Sequence, residues 1–271
     1  GGRLDAVNIV DADVSIVVSV DLDHQAYLGN TRELIGREKA HIYRAGRPAI
    51  FADSDPPQSL LDYAGEIGAD LRLLNRDFRS RRMDGQWQFF GRDSARHALP
   101  FPALRGSYQL KNAAAALAAL EALRERLPVT QQDVKRGLLE VAWPGRMQVL
   151  PGRPTVVLDV AHNPHAARAL HDALGAMEFH QNTFAVFGML KDKDIDAVIE
   201  IIKDRIDFWF VAGLDALAGE RGAPVDMLAG KLEAHGVGES VSRHVSVAMA
   251  YAAARERAGQ NDRILVFGSF Y

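Results

Sequence analysis

Asp159, His162, Asn163 and His165 fall within the stretch DVAHNPH (159–165), after the apolar run TVVL (155–158) and before the helix-periodic ARALHDALGAM. An acid at the end of a strand, a short polar turn, and then Asn163 and Pro164 as N-cap and first helical residue describe a strand-to-helix corner. In open parallel sheets ligands collect at such corners, where carboxyl ends of strands meet amino ends of helices. Asp159 and His162 could equally do no more than cap the turn.

Four other places carry residues with chemical potential. The β-branched run DVSIVVSV (13–20) reads as a strand covered on both faces, and it delivers Asp21, Asp23 and His24 to its carboxyl end. An imidazole and carboxylate oxygens suit a hard divalent ion only if further oxygens and water complete an octahedron; a hydrogen-bonded loop histidine is the plainer alternative. Lys39 lies on the short helix predicted for TRELIGREKA (31–40), whose T-x-E start reads as a cap, and it could be an ordinary solvated lysine. Asn112 is predicted in the first turn of a long helix beginning at Ser107, where free backbone donors and the positive dipole end could face a nucleotide. Arg146 lies in WPGRMQVLPGRP (143–154), a hinge-like segment with two Pro-Gly-Arg triplets about a short strand; its guanidinium could fork onto phosphates or stay on the surface.

The elements that must position these residues alternate. RPAIFA (47–52), a helix over 57–67 and ADLRLL (69–74) continue a βαβα pattern, which a small hairpin around Asp84 and Gly85 interrupts. The helix from Ser107 carries a near-heptad leucine and alanine stripe as far as Leu127, Pro128 ends it, and Thr130 with Asp133 starts another. Beyond Pro154, strands TVVLDV, TFAVFG, DFWFVAG and RILVFG alternate with helices near 164–177, 193–204, 224–235 and 245–258, the pattern of a doubly wound α/β domain. Three of its strand ends present Asp159, Gly188 before MLKDKD, and Gly268 with Ser269. A domain boundary is expected between residues 142 and 152.

Composition narrows the class. With 271 residues, 48% hydrophobic and 25% charged, the chain can bury a large core and is expected to form two domains. No apolar run approaches the ~20 residues of a membrane span, and no cationic apolar leader precedes the first strand. A net charge of -3 gives no global cationic field for nucleic acid, and the absence of cysteine excludes disulfides, thiolate metal sites and a cysteine nucleophile. These features fit a cytoplasmic enzyme. No G-x-G-x-x-G follows a strand, and no G-x-x-x-x-G-K-[ST] phosphate loop occurs in these residues. Both ends read as cut.

Taken together, GGRLDAVNIVDADV, SVDLDHQAYLG, REKAHI, YQLKNAAAAL, WPGRMQV, LDVAHNPHA, GMLKDKD and GSF resemble, in order, the motifs of the folylpolyglutamate synthase family, in its bacterial form that is also a dihydrofolate synthase. The resemblance implies an α/β fold: residues 1–145 as the C-terminal part of a Mur ligase-like ATPase domain lacking its phosphate loop, and 146–271 as a smaller Rossmann-like glutamate ligase domain. It implies an ATP-dependent ligase that uses Mg2+ and adds L-glutamate to dihydropteroate or to the γ-carboxylate of folate through an acyl phosphate. It implies His24 as a metal ligand, Lys39 as a catalytic lysine that is carbamylated to reach a second metal, and Leu4, Asp5 and Ala6 as the segment facing the pteroate. Asn112, Arg146 and Asp159 match nucleotide contacts, while His162 and Ser269 match the region that holds glutamate, His162 with a catalytic share. The expected partners are small molecules only, with no nucleic acid and no membrane, acting on a cytoplasmic monomer. Carbamylation needs a neutral amine, so burial of Lys39 is expected. Three residues depart from the family pattern: Asp21 where a small residue is usual, His41 for a glycine, and Tyr108 for a histidine. Since the resemblance places the phosphate loop upstream of Gly1, the 271 residues alone are expected not to ligate. Two alternatives stand beside this reading: another Mur-type amino acid ligase, and a noncatalytic nucleotide-binding relative.

Overall fold

The computed structural model describes residues 2–21 and 31–271. Its internal contacts divide the chain into two compact units, residues 1–103 with 107–141, and residues 104–106 with 142–271.

The first unit is built on a parallel sheet in the order β1 (Ser15–Val17), β2 (Pro48–Phe51) and β3 (Asp70–Leu73). Side chains alternate across β2, so Ala49 and Phe51 enter one core while Ile50 enters another. The Phe51 side is covered by α1 (Arg32–Ala40) and α2 (Gln58–Glu66) through Ile35, Ala40, Leu60 and Ala64. On the Ile50 side lie α3 (Tyr108–Ala122), whose Ala114, Ala115 and Ala118 permit close approach, and Trp87, Phe89 and Leu99. Those three come from an antiparallel sheet, β4 (Arg79–Arg82), β5 (Trp87–Phe90) and β6 (Ala95–Leu99). The hairpin at Asp84 and Gly85 thus gains a third strand that the sequence pattern did not reveal. Helix α4 (Gln131–Glu140) opens on a capping box in which the Thr130 hydroxyl accepts from Asp133 N while the Asp133 carboxylate accepts from Thr130 N. Two expectations shorten: the strand predicted over 13–20 is regular only at 15–17, and the helix from Ser107 breaks into turns at Leu123, leaving Leu127 exposed.

The second unit holds one six-stranded sheet in the order β11 (Val241–His244), β10 (Phe208–Ala212), β9 (Thr183–Phe187), β12 (Arg263–Phe267), β8 (Thr155–Leu158) and β7 (Gln148–Leu150). All neighbours are parallel except β7, which pairs antiparallel with β8. Helices α5 (Pro164–Gly175), α6 (Ile195–Ile202) and α8 (Val225–Ala234) cover one face through Leu170, Leu174, Val198, Ile199, Leu228 and Leu232. Between β10 and α8 lies the short α7 (Asp215–Ala218). The other face is covered by α9 (Val247–Arg257), whose Ala250 and Ala254 meet Val156, Phe184, Phe210 and Ile264. Helices on both faces explain why its central strands read as continuous apolar runs; β9 is buried at all five positions. The edge strand β11, VSRH, is half-exposed and escaped the hydrophobic pattern.

Candidate active site

In the second unit the chain order and the sheet order disagree. The last strand in sequence, β12, lies between β8 and β9, so the carboxyl ends that follow Leu158, Phe187 and Phe267 are neighbours. A small cavity of about 150 Å³ opens there, lined at its polar rim by Asp159, Ser269 and Tyr271 and beneath by Leu158, Val186 and Val266. At its edge Gly268 turns the chain at φ 115°; a Cβ there would stand 2.2 Å from the Gly188 carbonyl oxygen, so no side chain fits.

Asp159 is the fixed point of this edge. Its Oδ2 accepts from Met147 N at 2.8 Å and its Oδ1 from Ala161 N at 2.8 Å. One carboxylate thereby joins the segment carrying Arg146 to the turn carrying His162. Burial pushes the Asp159 carboxyl above its ordinary range, against the opposing pull of those two N–H donors and of the nearby charges of Arg146 and His162. The imidazole of His162 donates from Nδ1 to the Val160 carbonyl at 2.7 Å, which leaves Nε2 as the free ring nitrogen. Asn163 caps α5 by accepting from Ala166 N at 2.8 Å, with Pro164 at the first helical position. The Phe270 ring lies 5.7 Å from the His162 ring and 5.6 Å from the Arg146 guanidinium carbon. Asp159, His162, Arg146 and Ser269 therefore belong to one cluster. Sequence reading missed the Met147 and Ala161 donors, which leave no trace in side-chain type, and gave Phe270 no role although it stands in the GSF motif.

In the first unit Lys39 is half-buried near the end of α1 and lines a cavity of about 450 Å³ with Asn8, Ser15, Ser19 and the apolar Val7, Val10 and Val17. Leu4, Asp5 and Ala6 are exposed beside it: Asp5 caps the single 3-10 turn Ala6–Ile9 by accepting from Val7 N at 3.0 Å, which holds its carboxyl below the usual range. The residues of this segment that reach the cavity are Val7, Asn8, Val10 and Ala12. Arg44, which sequence reading passed over, ties that segment down by donating to Asp11 Oδ1 at 2.6 Å and, through Nη2, to Asn8 O at 2.8 Å and Asn8 Oδ1 at 3.0 Å. His41 follows α1 at φ −63°, a conformation open to any residue, so the departure from glycine costs the backbone nothing; its ring stacks on Tyr63 at 4.3 Å.

Asn112 requires a correction. Helix α3 begins at Tyr108, which makes Asn112 its fifth residue rather than a member of the first turn, and the Asn112 amide donates to the buried Gln109 side chain at 3.0 Å. Its backbone N–H already lies within the intrahelical ladder, so the free donors expected to accompany it are not there. His24 and Asp23 lie outside the described residues. Among the described residues no three His, Asp or Glu side chains gather as a metal site, so a divalent site is not complete within them. No helix among them is long and apolar enough to cross a membrane.

Helices on both faces of a sheet that is parallel except for its edge strand, with a buried carboxylate at the strand-order reversal, define a doubly wound α/β domain with a ligand-binding edge, and residues 145–270 match the family described as Mur ligase, glutamate ligase domain. The whole chain is 41% identical to the dihydrofolate synthase/folylpolyglutamate synthase of Escherichia coli strain K12, covering 61% of that protein, and 35% identical to the protein of the same name from Haemophilus influenzae, covering 64% of it. E. coli FolC in complex with DHPP and ADP superposes on all of this chain with a TM-score of 0.89 at 41% identity, with 62% of that chain covered. A bifunctional folylpolyglutamate synthase/dihydrofolate synthase with Mn, AMPPNP and L-glutamate bound does so with a TM-score of 0.87 at 39% identity, again with 62% covered. The chain is thus similar over its whole length to proteins named dihydrofolate synthase/folylpolyglutamate synthase and spans about three-fifths of the length of these relatives.

Proposed function

We propose that the protein is an ATP-dependent ligase that joins L-glutamate to dihydropteroate, to the γ-carboxylate of a folate, or to both, with ATP and Mg2+ as cofactors. The observation that carries the reading is the cluster at the carboxyl edge of β8 and β12, in which one buried carboxylate fixes the segments bearing Arg146 and His162 beside Ser269. The names of the relatives and the ligands in their structures point the same way.

In this reading an oxygen of the acceptor carboxylate attacks the γ-phosphorus of ATP, ADP leaves, and an acyl phosphate forms. The glutamate amine then attacks the acyl carbon; phosphate departs and the amine loses a proton. Arg146 offers a planar fork of donors to phosphate oxygens, and Asp159 keeps that fork and the His162 turn at a fixed spacing. The free Nε2 of His162 and the hydroxyl of Ser269 orient the incoming glutamate. Lys39, as its carbamate, and His24 are the proposed metal ligands, and the ion would offset negative charge on the transferring phosphoryl group. Val7 and Val10, with the polar Asn8 between them and beside Leu4, Asp5 and Ala6, form the wall for a flat pteridine acceptor. Asn112 keeps its side-chain carbonyl and its second amide N–H for a nucleotide contact. Residues 1–145 serve as the ATPase part and 146–271 as the glutamate ligase part of a cytoplasmic enzyme that works as a monomer.

The test uses the whole protein with all its domains, incubated with ATP, Mg2+, L-glutamate and either dihydropteroate or a reduced folate. The expected result is ADP release that requires both glutamate and acceptor, with a product one glutamyl residue heavier by mass spectrometry. Lys39→Ala is expected to abolish turnover while thermal unfolding stays unchanged. Failure to find a glutamyl product from either acceptor overturns the reading; nucleotide binding without turnover would identify a noncatalytic relative.

A further inference from the structure

Phe270 is 68% exposed, an unusual position for the ring of a phenylalanine beside a well-packed sheet. The chain reaches it through Gly268, whose φ of 115° and contact with the Gly188 carbonyl redirect residues 269–271 away from the line of β12. The ring then comes to rest between two side chains of the site, 5.6 Å from the Arg146 guanidinium carbon and 5.7 Å from the His162 ring at an interplanar angle of 57°. Neither contact contributes to the hydrophobic core; the first restrains a guanidinium on a long flexible stem, and the second adds to the hydrogen bond that His162 Nδ1 donates to the Val160 carbonyl.

Asp159 fixes the backbone at Met147 and Ala161, one residue from Arg146 and one from His162. It does nothing for the side-chain torsions beyond those backbones. Arg146 has four such torsions, and a guanidinium that roams pays an ordering cost whenever it grips a phosphate. The Phe270 ring supplies further restraint, because its quadrupole attracts the cation and the imidazole packs against the same ring at a tilt. We infer that Phe270 is a positioning residue that holds Arg146 and His162 in their working orientations at once, coupling the nucleotide end of the site to the glutamate end. The inference rests on the proposed roles of those two residues.

An exposed cation–π contact restrains its partner by roughly a factor of two to five, and an aromatic pair adds a comparable factor. In the complete enzyme, Phe270→Leu is therefore expected to raise KM for ATP and KM for glutamate together, each about three- to ten-fold, and to weaken ATP binding by the same factor in equilibrium titration without acceptor. Thermal unfolding should not move, since the ring is outside the core. Phe270→Tyr and Phe270→Trp keep an aromatic face and should restore both KM values to within about two-fold. A purely structural role would instead lower the unfolding temperature of Phe270→Leu and leave the two KM values unlinked. Arg146→Ala and His162→Ala, measured alongside, separate the possible failures. If Arg146→Ala leaves ATP affinity unchanged or His162→Ala leaves KM for glutamate unchanged, the proposed roles fall and the positioning falls with them. If both raise their constants while Phe270→Leu raises neither, or if the aromatic replacements fail to rescue, the positioning role alone is overturned.

Discussion

The two units place candidate site residues by different means. In the second unit they stand at the ends of paired strands, and the backbone itself sets their spacing: Asp159 accepts from two main-chain N–H groups, and Gly268 packs against the Gly188 carbonyl. In the first unit, Lys39 stands on a helix, and part of the wall of its cavity is the segment 7–12, a 3-10 turn running into irregular chain, tied down through the side chain of Arg44. In both units the sheet divides the core in two, one cluster on each face. A site built on strand ends is rigid and intolerant of added atoms. One held by an exposed ion pair yields to salt and to single side-chain loss.

The comparison is broken most directly at two glycines. Gly268→Ala puts a Cβ 2.2 Å from a carbonyl oxygen at φ 115°, and the expected cost is about 3–5 kcal/mol from overlap and strain together. Gly46→Ala, at φ 65° with open space around it, should cost only about 1–2 kcal/mol. Urea unfolding followed by a probe in each unit checks both, and equal losses would remove the distinction. Next in size, Asp159→Ala leaves two buried donors without acceptors, an expected loss of about 2–4 kcal/mol, whereas Asp159→Asn keeps one acceptor oxygen and should lose about half as much. Arg44→Ala comes third, at about 1–2 kcal/mol because its partner Asp11 is largely exposed. Wild-type stability of the first unit should also fall as sodium chloride rises, and the variant should show less of that salt dependence because the unit's other ion pairs remain.

The smallest effect is one of sign. The folded carboxyl of Asp159 lies above its unfolded value because burial disfavours the anion, so the native state holds the proton longer. Its contribution to stability is largest below the unfolded pKa of about 4 and declines as pH rises through the raised folded value. Asp196 has the opposite sign: the hydrogen bond from Lys231, followed by His235, lowers its carboxyl, so its contribution is present above about pH 4 and is lost as pH falls through the depressed value. Acid titration of the unfolding midpoint should therefore fall less steeply in Asp196→Asn and more steeply in Asp159→Asn than in the parent. The same direction in both would contradict the assigned burial of Asp159.

Features set by neighbours a few residues apart were legible in the sequence. Thr31, Thr130 and Asn163 cap the helices they precede, because a cap is a hydrogen bond closed within one turn. Strands β8, β9, β10 and β12 lie where apolar runs announced them, because burial on both faces demands such runs. Asn112 marks the limit of that kind of reading: as the fifth residue of α3 it stands past the free donors of the first turn, and its amide is bonded to Gln109. Tertiary structure alone decided that β12 enters between β8 and β9, which sets Ser269 and Gly188 beside Asp159, and that Arg44 and Phe270 touch residues far from them in sequence. Strand order and such distant contacts follow from how whole faces pack, and a chain's local pattern of polar and apolar residues is the same for several packings.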